Sequence, residues 1–137
     1  MRIHLNYDDF NKIVDHAKSA LPEEACGLIA GRAEADEFYI EQVYPLTNID
    51  HSSEHFSIDP REQLAAVKDM RAKGIAPLGN FHSHPETPAR PSDEDIRLAQ
   101  DPKALYLILS LALEEPCLRA FRIEGGKVRG IAIELEF

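Results

Sequence analysis

Helical patterns alternate with short apolar segments along the first part of this 137-residue chain. Apolar residues recur at helical spacing over residues 6–21, with Asn6 as the helix cap, and Asp59-Pro60 opens a second helix that Gly74 ends. The segments between and after these helices have the composition of β-strands and cover residues 25–30, 37–46 and 76–81. Such an alternation predicts a β-sheet that is covered by helices.

The last part of the chain adds a short helix and a β-hairpin. Ser92 begins a helical segment, residues 92–99, with a sequence pattern that resembles a capping box. Three β-like segments follow, the last two joined by a turn at Gly125-Gly126; they cover residues 105–113, 117–123 and 127–135. Since a hairpin joins antiparallel strands, we expect an α/β fold with about six strands in a mixed central sheet.

Length and charge limit the classes of function. A chain of 137 residues is expected to form one domain, residues 1–137, with a core of its own. Its net charge of −9 argues against nucleic acid as a partner, because its 15 basic residues are scattered among 24 acidic ones. No apolar run approaches the roughly 20 residues of a membrane span, and the N-terminal residues contain no apolar signal core. We therefore expect a cytoplasmic protein that does not bind membranes.

Two cysteines and two histidines are weaker candidates for function. Cys26 and Cys117 lie in apolar segments without the spacing of a thiolate metal site, and we expect two reduced thiols in the core. A role for either as a nucleophile stays open. His51 and His55 have the spacing of helical metal ligands, but they lie in a polar segment, residues 47–58, that we expect to be a surface loop. We do not expect them to bind metal.

The segment FHSHPETPARPSDED, residues 81–95, combines two histidines, three prolines and a cluster of acids. On a strand, His82 and His84 point to the same side of a sheet, so the two imidazoles can bind one metal ion. Asp95 falls in the first turn of the following helix, where the helix dipole favours a carboxylate. Two histidines and one carboxylate leave a coordination position free for water, as in catalytic zinc sites. The alternative is a polar strand end before a helix that Ser92 and Asp95 merely cap.

These residues resemble the signature of a known family. His82-Ser83-His84-Pro85, six further residues and Ser92-x-x-Asp95 match the H-S/T-H-P-x6-S-x-x-D pattern of the JAMM (MPN-plus) metalloproteases. The upstream segment PEEACG is similar to the glutamate-bearing P-x-E-A-x-G segment of that family, and Glu24 directly precedes its Ala-x-Gly. The chain looks most like the small stand-alone prokaryotic members that resemble the Mec peptidases of sulfur-carrier pathways.

The resemblance implies a fold, a cofactor and a mechanism. It implies a cytidine-deaminase-like α/β/α sandwich and one zinc ion (Zn2+) per chain, held by His82, His84 and Asp95. It also implies that Glu24 is the general base that takes a proton from a zinc-activated water and later protonates the leaving amine. Ser92 would donate a hydrogen bond to the tetrahedral oxyanion, a role that is compatible with capping a helix.

The resemblance also suggests the substrate. Small ubiquitin-like and sulfur-carrier proteins end in a flexible Gly-Gly tail, and we expect hydrolysis after that tail. The tail is expected to bind as an added strand at a sheet edge, on the strand that leads into His82 or on one beside it. Two other functions stay open: a non-catalytic protein-binding module that zinc stabilises, and a zinc hydrolase or deaminase for small molecules. The identity of the carrier, the type of bond (peptide, isopeptide or metabolite adduct) and the oligomeric state do not follow from the sequence.

Overall fold

Seven strands and three helices make up the structure, a computed structural model that describes residues 1–137. In chain order they are β1 (Arg2–Asn6), α1 (Tyr7–Ala20), β2 (Cys26–Glu34), β3 (Glu37–Leu46), α2 (Pro60–Lys73), β4 (Ala76–His84), α3 (Asp93–Leu98), β5 (Leu105–Ser110), β6 (Cys117–Glu124) and β7 (Lys127–Glu136). None of the helices is long and apolar enough to cross a membrane. All the predicted helices and strands are present.

Capping residues set the ends of the two long helices. The Asn6 side chain accepts a hydrogen bond from the N–H of Asp9 at 2.7 Å, which starts α1. The carboxylate of Asp59 accepts from the N–H of Arg61 at 2.9 Å, which starts α2. Gly74 ends α2 with a φ of 68°, a left-handed conformation that glycine adopts without strain. The predicted boundaries of both helices are confirmed to within one residue.

The strands form one mixed sheet that closes on itself in the order β1-β3-β2-β4-β5-β6-β7. β1 completes the ring, because it runs parallel to β3 on one side and to β7 on the other. β2 pairs antiparallel with both β3 and β4, whereas β4 and β5 run parallel. The predicted mixed sheet is confirmed. The predicted cytidine-deaminase-like α/β/α sandwich is not confirmed, because an open sandwich has two free sheet edges and here every strand has a neighbour on both sides.

β1 is the strand that the sequence analysis misses. It has five residues, and its alternation of buried Ile3 and Leu5 with polar neighbours is too short to stand out from the start of α1. The bounds of other strands also differ from the prediction. β5 ends at Ser110 rather than at residue 113, and β4 continues to His84, which places both of its histidines in regular strand.

Helices α1 and α2 cover opposite faces of the sheet around β2. The residues that α1 buries in the main core are Ile13, Val14 and Ala17. On the other face, α2 buries Ala66 and Met70 against Ala30 of β2. Because side chains alternate along a strand, β2 also contributes Ile29 to the main core. β2 is thus held from both faces at the point where it approaches β4.

Candidate metal centre

The imidazoles of His82 and His84, on β4, meet the carboxylate of Asp95, on α3. Nε2 of His82 lies 3.1 Å from Nε2 of His84, and each of these atoms lies 3.2 Å from Oδ2 of Asp95. Both histidines are buried and Asp95 is half-buried. The structure thus brings together the three residues that the sequence motif predicts as metal ligands.

This triangle of donor atoms fits a tetrahedral zinc ion. Ligands at about 2.05 Å from zinc lie about 3.3 Å from one another in a regular tetrahedron. The observed separations of 3.1 and 3.2 Å are close to that value. Two imidazole nitrogens and one carboxylate oxygen are also ligand types that zinc accepts, and no cysteine belongs to the group.

Further hydrogen bonds orient two of the three donors. Nδ1 of His84 lies 2.8 Å from the carbonyl oxygen of Pro88, which can only accept, so Nδ1 carries the hydrogen. In the neutral ring the lone pair is then on Nε2, which faces the other donors. The backbone N–H of Ser92 donates to Oδ2 of Asp95 at 2.9 Å. The proline-rich segment between β4 and α3 therefore orients both side chains.

Burial and mutual contact change the pKa values of the three residues. Burial lowers the pKa of His82. Burial is also the largest single effect on His84 and opposes its charge, but the hydrogen bonds with Asp95 and Pro88 and the nearby negative charges together outweigh it, so the pKa of His84 is raised. For Asp95, burial is outweighed by the hydrogen bonds with both histidines, which hold the pKa of its carboxyl well below the usual range. Asp95 is therefore ionised at neutral pH, the form that binds a cation.

Phe56 is a residue of the site that the sequence analysis misses. Its ring stacks on the imidazole of His82, with the ring centres 4.7 Å apart and an angle of 25° between the planes. The stacking fixes the rotation of the His82 ring, whose Nδ1 is buried without a hydrogen-bond partner. Phe56 belongs to the predicted loop 47–58, which an isolated bridge between Asn48 and Ile58 closes. The only phenylalanine, tyrosine or tryptophan in a mostly polar loop is the available sequence signal.

Glu24 lies two residues before β2, near enough to His84 and Asp95 for their charges to act on its carboxyl. It is only 4% exposed, and its Oε1 has no hydrogen-bond partner. Burial raises the pKa of Glu24 to about 8, although the charge of His84 opposes the shift. Because a buried carboxyl without a partner reduces stability, such groups concentrate at functional sites.

Ser92 caps α3 as its sequence pattern predicts. Its Oγ accepts a hydrogen bond from the N–H of Asp95 at 3.0 Å, while the Asp95 carboxylate accepts from the N–H of Ser92. Both halves of the capping box are therefore formed. Ser92 is exposed, and because a hydroxyl donates as well as accepts, its hydrogen stays available for a further partner.

The structure places the remaining candidates outside the ligand triangle. His51 and His55 are exposed on loop 47–58, and each ring approaches a carboxylate at 3.1 Å, that of Glu23 and Asp50 respectively. Both cysteines are free thiols; Cys26 is buried as predicted, whereas Cys117 is only half-buried. Burial raises the pKa of the Cys26 thiol to about 12, so at neutral pH it is not a thiolate nucleophile.

A cavity of about 370 Å³ opens beside His82 and Asp95. Its walls come from loop 47–58, α2, α3, β4 and β5, and its lining residues include Phe56, Ile58, Asn80, Leu98 and Tyr106. Oδ1 of Asn80 has no hydrogen-bond partner, so it is an unused acceptor. Five of its twelve lining residues are hydrophobic, and the others are polar or charged. A concave site that combines apolar surface with perturbed titratable residues has the features of a ligand-binding site.

The fold and the site define a class of protein. The crystal structure of a JAB1/MPN domain protein from Archaeoglobus fulgidus has the same fold, with a TM-score of 0.60 at 23% identity over 99% of this chain and 100% of that one. Residues 8–124 match the family described as prokaryotic homologs of the JAB domain. The chain therefore belongs to the JAB (JAMM) family, and the resemblance noted in the sequence is confirmed.

More similar relatives define the group within the family. The CysO-cysteine peptidase of Mycobacterium tuberculosis is 36% identical over 124 residues, which cover 88% of this chain and 82% of the relative. The desampylase of Haloferax volcanii is 27% identical over 98% of this chain and 97% of the relative. The solution structure of a protein from Desulfitobacterium hafniense matches with 54% identity and a TM-score of 0.91, over 98% of this chain and 92% of that one. The chain is a hydrolase of the small prokaryotic JAMM peptidase type.

We expect Glu24 to make the stability of the metal-free protein depend on pH. Its carboxyl has a pKa of about 8 when buried, against an ordinary value of 4.5 in an unfolded chain. Between these values the folded protein holds a proton that the unfolded chain has released, so the free energy of unfolding falls as the pH rises from about 5 to about 8. Glu24→Gln removes this titration, so the variant should gain stability relative to the parent protein over that interval.

Urea unfolding of the parent protein and the Glu24→Gln variant, both in chelator, measures this difference at each pH. Titrations of the histidines and of Asp95 occur in both proteins and largely cancel. A stability difference that stays constant from about pH 5 to about pH 8 would contradict a buried, protonated Glu24.

Proposed function

We propose that the chain is a zinc-dependent peptidase or isopeptidase that hydrolyses the bond after the C-terminal Gly-Gly of a small ubiquitin-like or sulfur-carrier protein. The observation that carries the proposal is a set of three donor atoms within 3.2 Å of one another, beside a buried carboxyl with an unpartnered oxygen. His82, His84 and Asp95 would hold the zinc ion. Glu24 and Ser92 would act on the substrate.

Three protein ligands favour a catalytic zinc over a structural one. Structural zinc sites are normally closed by four protein ligands, whereas catalytic sites leave a position for water or substrate. The buried carboxyl of Glu24 supports the same conclusion, because it lowers the stability of the metal-free fold and a structural site would not require it. Both observations argue against the other function considered, a non-catalytic module that zinc stabilises.

Glu24 is the proposed general base and general acid. Zinc, when bound, would lower the pKa of a water molecule from about 16 to about 7. Glu24 takes the proton of the attacking water, and the same carboxyl later delivers it to the leaving amine. Its Oε1 has no hydrogen bond to break before it accepts that proton. The pKa of about 8 belongs to the metal-free protein, and the positive charge of a bound zinc ion would favour the ionised carboxylate that a base requires.

Ser92 is the proposed donor to the oxyanion that forms on the substrate carbonyl. Its Oγ already accepts one hydrogen bond, from the N–H of Asp95, so its hydroxyl hydrogen can point toward the substrate. Removal of such a donor costs roughly 3 kcal/mol of transition-state stabilisation in comparable enzymes. Because the backbone N–H of Ser92 also orients Asp95, one residue connects the oxyanion to the ligand set.

The relatives suggest the class of substrate. One is named as a peptidase for CysO-cysteine and another as a desampylase. We extend to this chain the common feature, hydrolysis of a bond at the end of a small carrier protein. The net charge of −9 would favour a carrier with a basic surface, through faster association at low ionic strength.

The closed sheet changes where a carrier tail can bind. The predicted added strand on β4 or on a strand beside it is wrong. β2 and β5 pair with both sides of β4, and β3 and β6 pair with the outer sides of β2 and β5. The cavity next to His82 and Asp95 is the alternative, since it reaches two members of the ligand triangle. An extended Gly-Gly segment has no side chains, so it can lie between the walls of this cavity with its last carbonyl at the triangle.

Metal content and turnover together distinguish the proposed zinc ligands from the proposed general base. Purified protein should hold about one zinc ion per chain, and His82→Ala, His84→Ala and Asp95→Ala should each lose it in elemental analysis. Glu24→Gln should keep zinc but lose roughly 10²- to 10⁴-fold in turnover, because an amide cannot accept the proton of the water.

Glu23→Gln is the matched control, since it makes the same change at a half-buried neighbour outside the ligand triangle and should keep both zinc and turnover. Zinc retained in all three ligand variants would remove the site. Parental turnover of zinc-loaded Glu24→Gln would assign the base to another residue.

Cleavage specificity tests the substrate. We expect carrier fusions that end in Gly-Gly-X to be cut after Gly-Gly, and fusions with valine in place of the last glycine to be cut little, because a branched side chain would meet the cavity wall. Mass spectrometry of the products measures both. Equal cleavage of the two fusions, or cleavage at scattered positions, would exclude a peptidase that is specific for the tail.

A further inference from the structure

Ser83 lies between the two histidines of β4, yet its side chain takes part in a different contact. It is 1% exposed, and its Oγ accepts a hydrogen bond from the backbone N–H of Ala25 at 2.7 Å. We propose that Ser83 is a positioning residue for Glu24, the residue that precedes Ala25. This inference rests on the proposed role of Glu24 as the base.

All four polar groups of the Glu24 and Ala25 backbone are hydrogen-bonded. Besides the contact with Oγ, the carbonyl of Ala25 accepts from the N–H of Ser83 at 3.0 Å. On the side of loop 47–58, the N–H of Glu24 donates to the carbonyl of Ser52 at 2.8 Å. The carbonyl of Glu24 accepts from the side-chain amide of Asn48 at 3.0 Å. The backbone that carries the base is thus held between the strand of the ligands and the loop.

The side chain of Ser83 supplies an acceptor that the regular sheet does not. The ladder between β2 and β4 begins with Cys26 opposite His82, so Ala25 lies just beyond it. There the N–H of Ala25 bonds to Oγ of Ser83 instead of to a backbone carbonyl. Threonine would keep this oxygen, and alanine would remove it.

This contact matters for the position of the base because Glu24 has little else to hold its carboxyl. Its Oε1 has no hydrogen-bond partner, so the place of the side chain depends on its backbone. Ser83 is covalently joined to both His82 and His84, so its bonds to Ala25 fix the base relative to two ligands at once. A displacement of about 1 Å at a catalytic group can cost 10²-fold in rate.

The test compares Ser83→Ala with Ser83→Thr. Ser83→Ala should keep its zinc and a nearly unchanged KM, while kcat falls on the order of 10- to 100-fold. Amide hydrogen exchange at Ala25, which is measured without turnover, should become about tenfold faster. Ser83→Thr should restore both values. Ser83→Cys leaves only a weak acceptor in nearly the same volume, so it should change kcat and the exchange at Ala25 in the same direction but less. This variant supplies the test if Ser83→Ala does not fold.

Ser110→Ala is the matched control. Ser110 is 4% exposed on the adjoining strand, and its Oγ also makes two hydrogen bonds, to the carbonyl of Thr87 and from the N–H of Ala112. It should lose similar stability without the change in exchange at Ala25.

An equal rise in the rate of exchange at Ala25 in Ser110→Ala would overturn the inference, as would parental kcat in Ser83→Ala or a loss of zinc from Ser83→Ala in proportion to its loss of activity. A different result, parental turnover of zinc-loaded Glu24→Gln, would refute the proposed role of Glu24 as the base. If that variant is inactive and Ser83→Ala is normal, only the role of Ser83 is refuted.

Discussion

The antiparallel pairing of β2 with β4 is the constraint on which the geometry of the site depends. Its register sets Cys26 opposite His82, and two further hydrogen bonds continue the pairing to Ala25 and Ser83. Glu24 therefore reaches the side of the sheet that carries the two imidazoles. Because side chains alternate along a strand, a shift of the register by one residue would turn those imidazoles toward the main core. Packing on both faces of β2 stabilises this register against such a shift.

Close contact between neighbouring strands requires glycine at two positions that have no proposed catalytic role. A Cβ at Gly27 would lie 2.3 Å from the ring of Phe81 and from the carbonyl of Tyr44. A Cβ at Gly79 would lie 1.9 Å from the carbonyl of Leu105. The glycine of the PEEACG segment is therefore required by the packing of β2 against β3 and β4, while the glutamate of the same segment is the residue that we propose as the base. One short motif thus combines a packing requirement with a proposed catalytic role.

The features that the sequence predicts are those that depend on residues close together along the chain. The alternation of His82 and His84, the cap at Ser92 and the ends of α1 and α2 follow from local spacing. What it does not predict depends on distant partners: β1 becomes a strand only through its pairing with β3 and β7, and Phe56 reaches His82 only because loop 47–58 folds over β4. Glu24 was found from its resemblance to a motif, since no local pattern relates it to the histidines. The closed sheet, and with it the lack of a free edge along β4 and its two neighbours, is likewise a property of the whole chain.

X-ray absorption spectroscopy at the zinc edge of the zinc-loaded protein tests the ligand set most directly. The account predicts only nitrogen and oxygen neighbours, at about 2.0 to 2.1 Å, with the outer-shell scattering of two imidazoles. Sulfur at about 2.3 Å, the distance of a cysteine thiolate, would contradict the assignment of His82, His84 and Asp95 as the protein ligands.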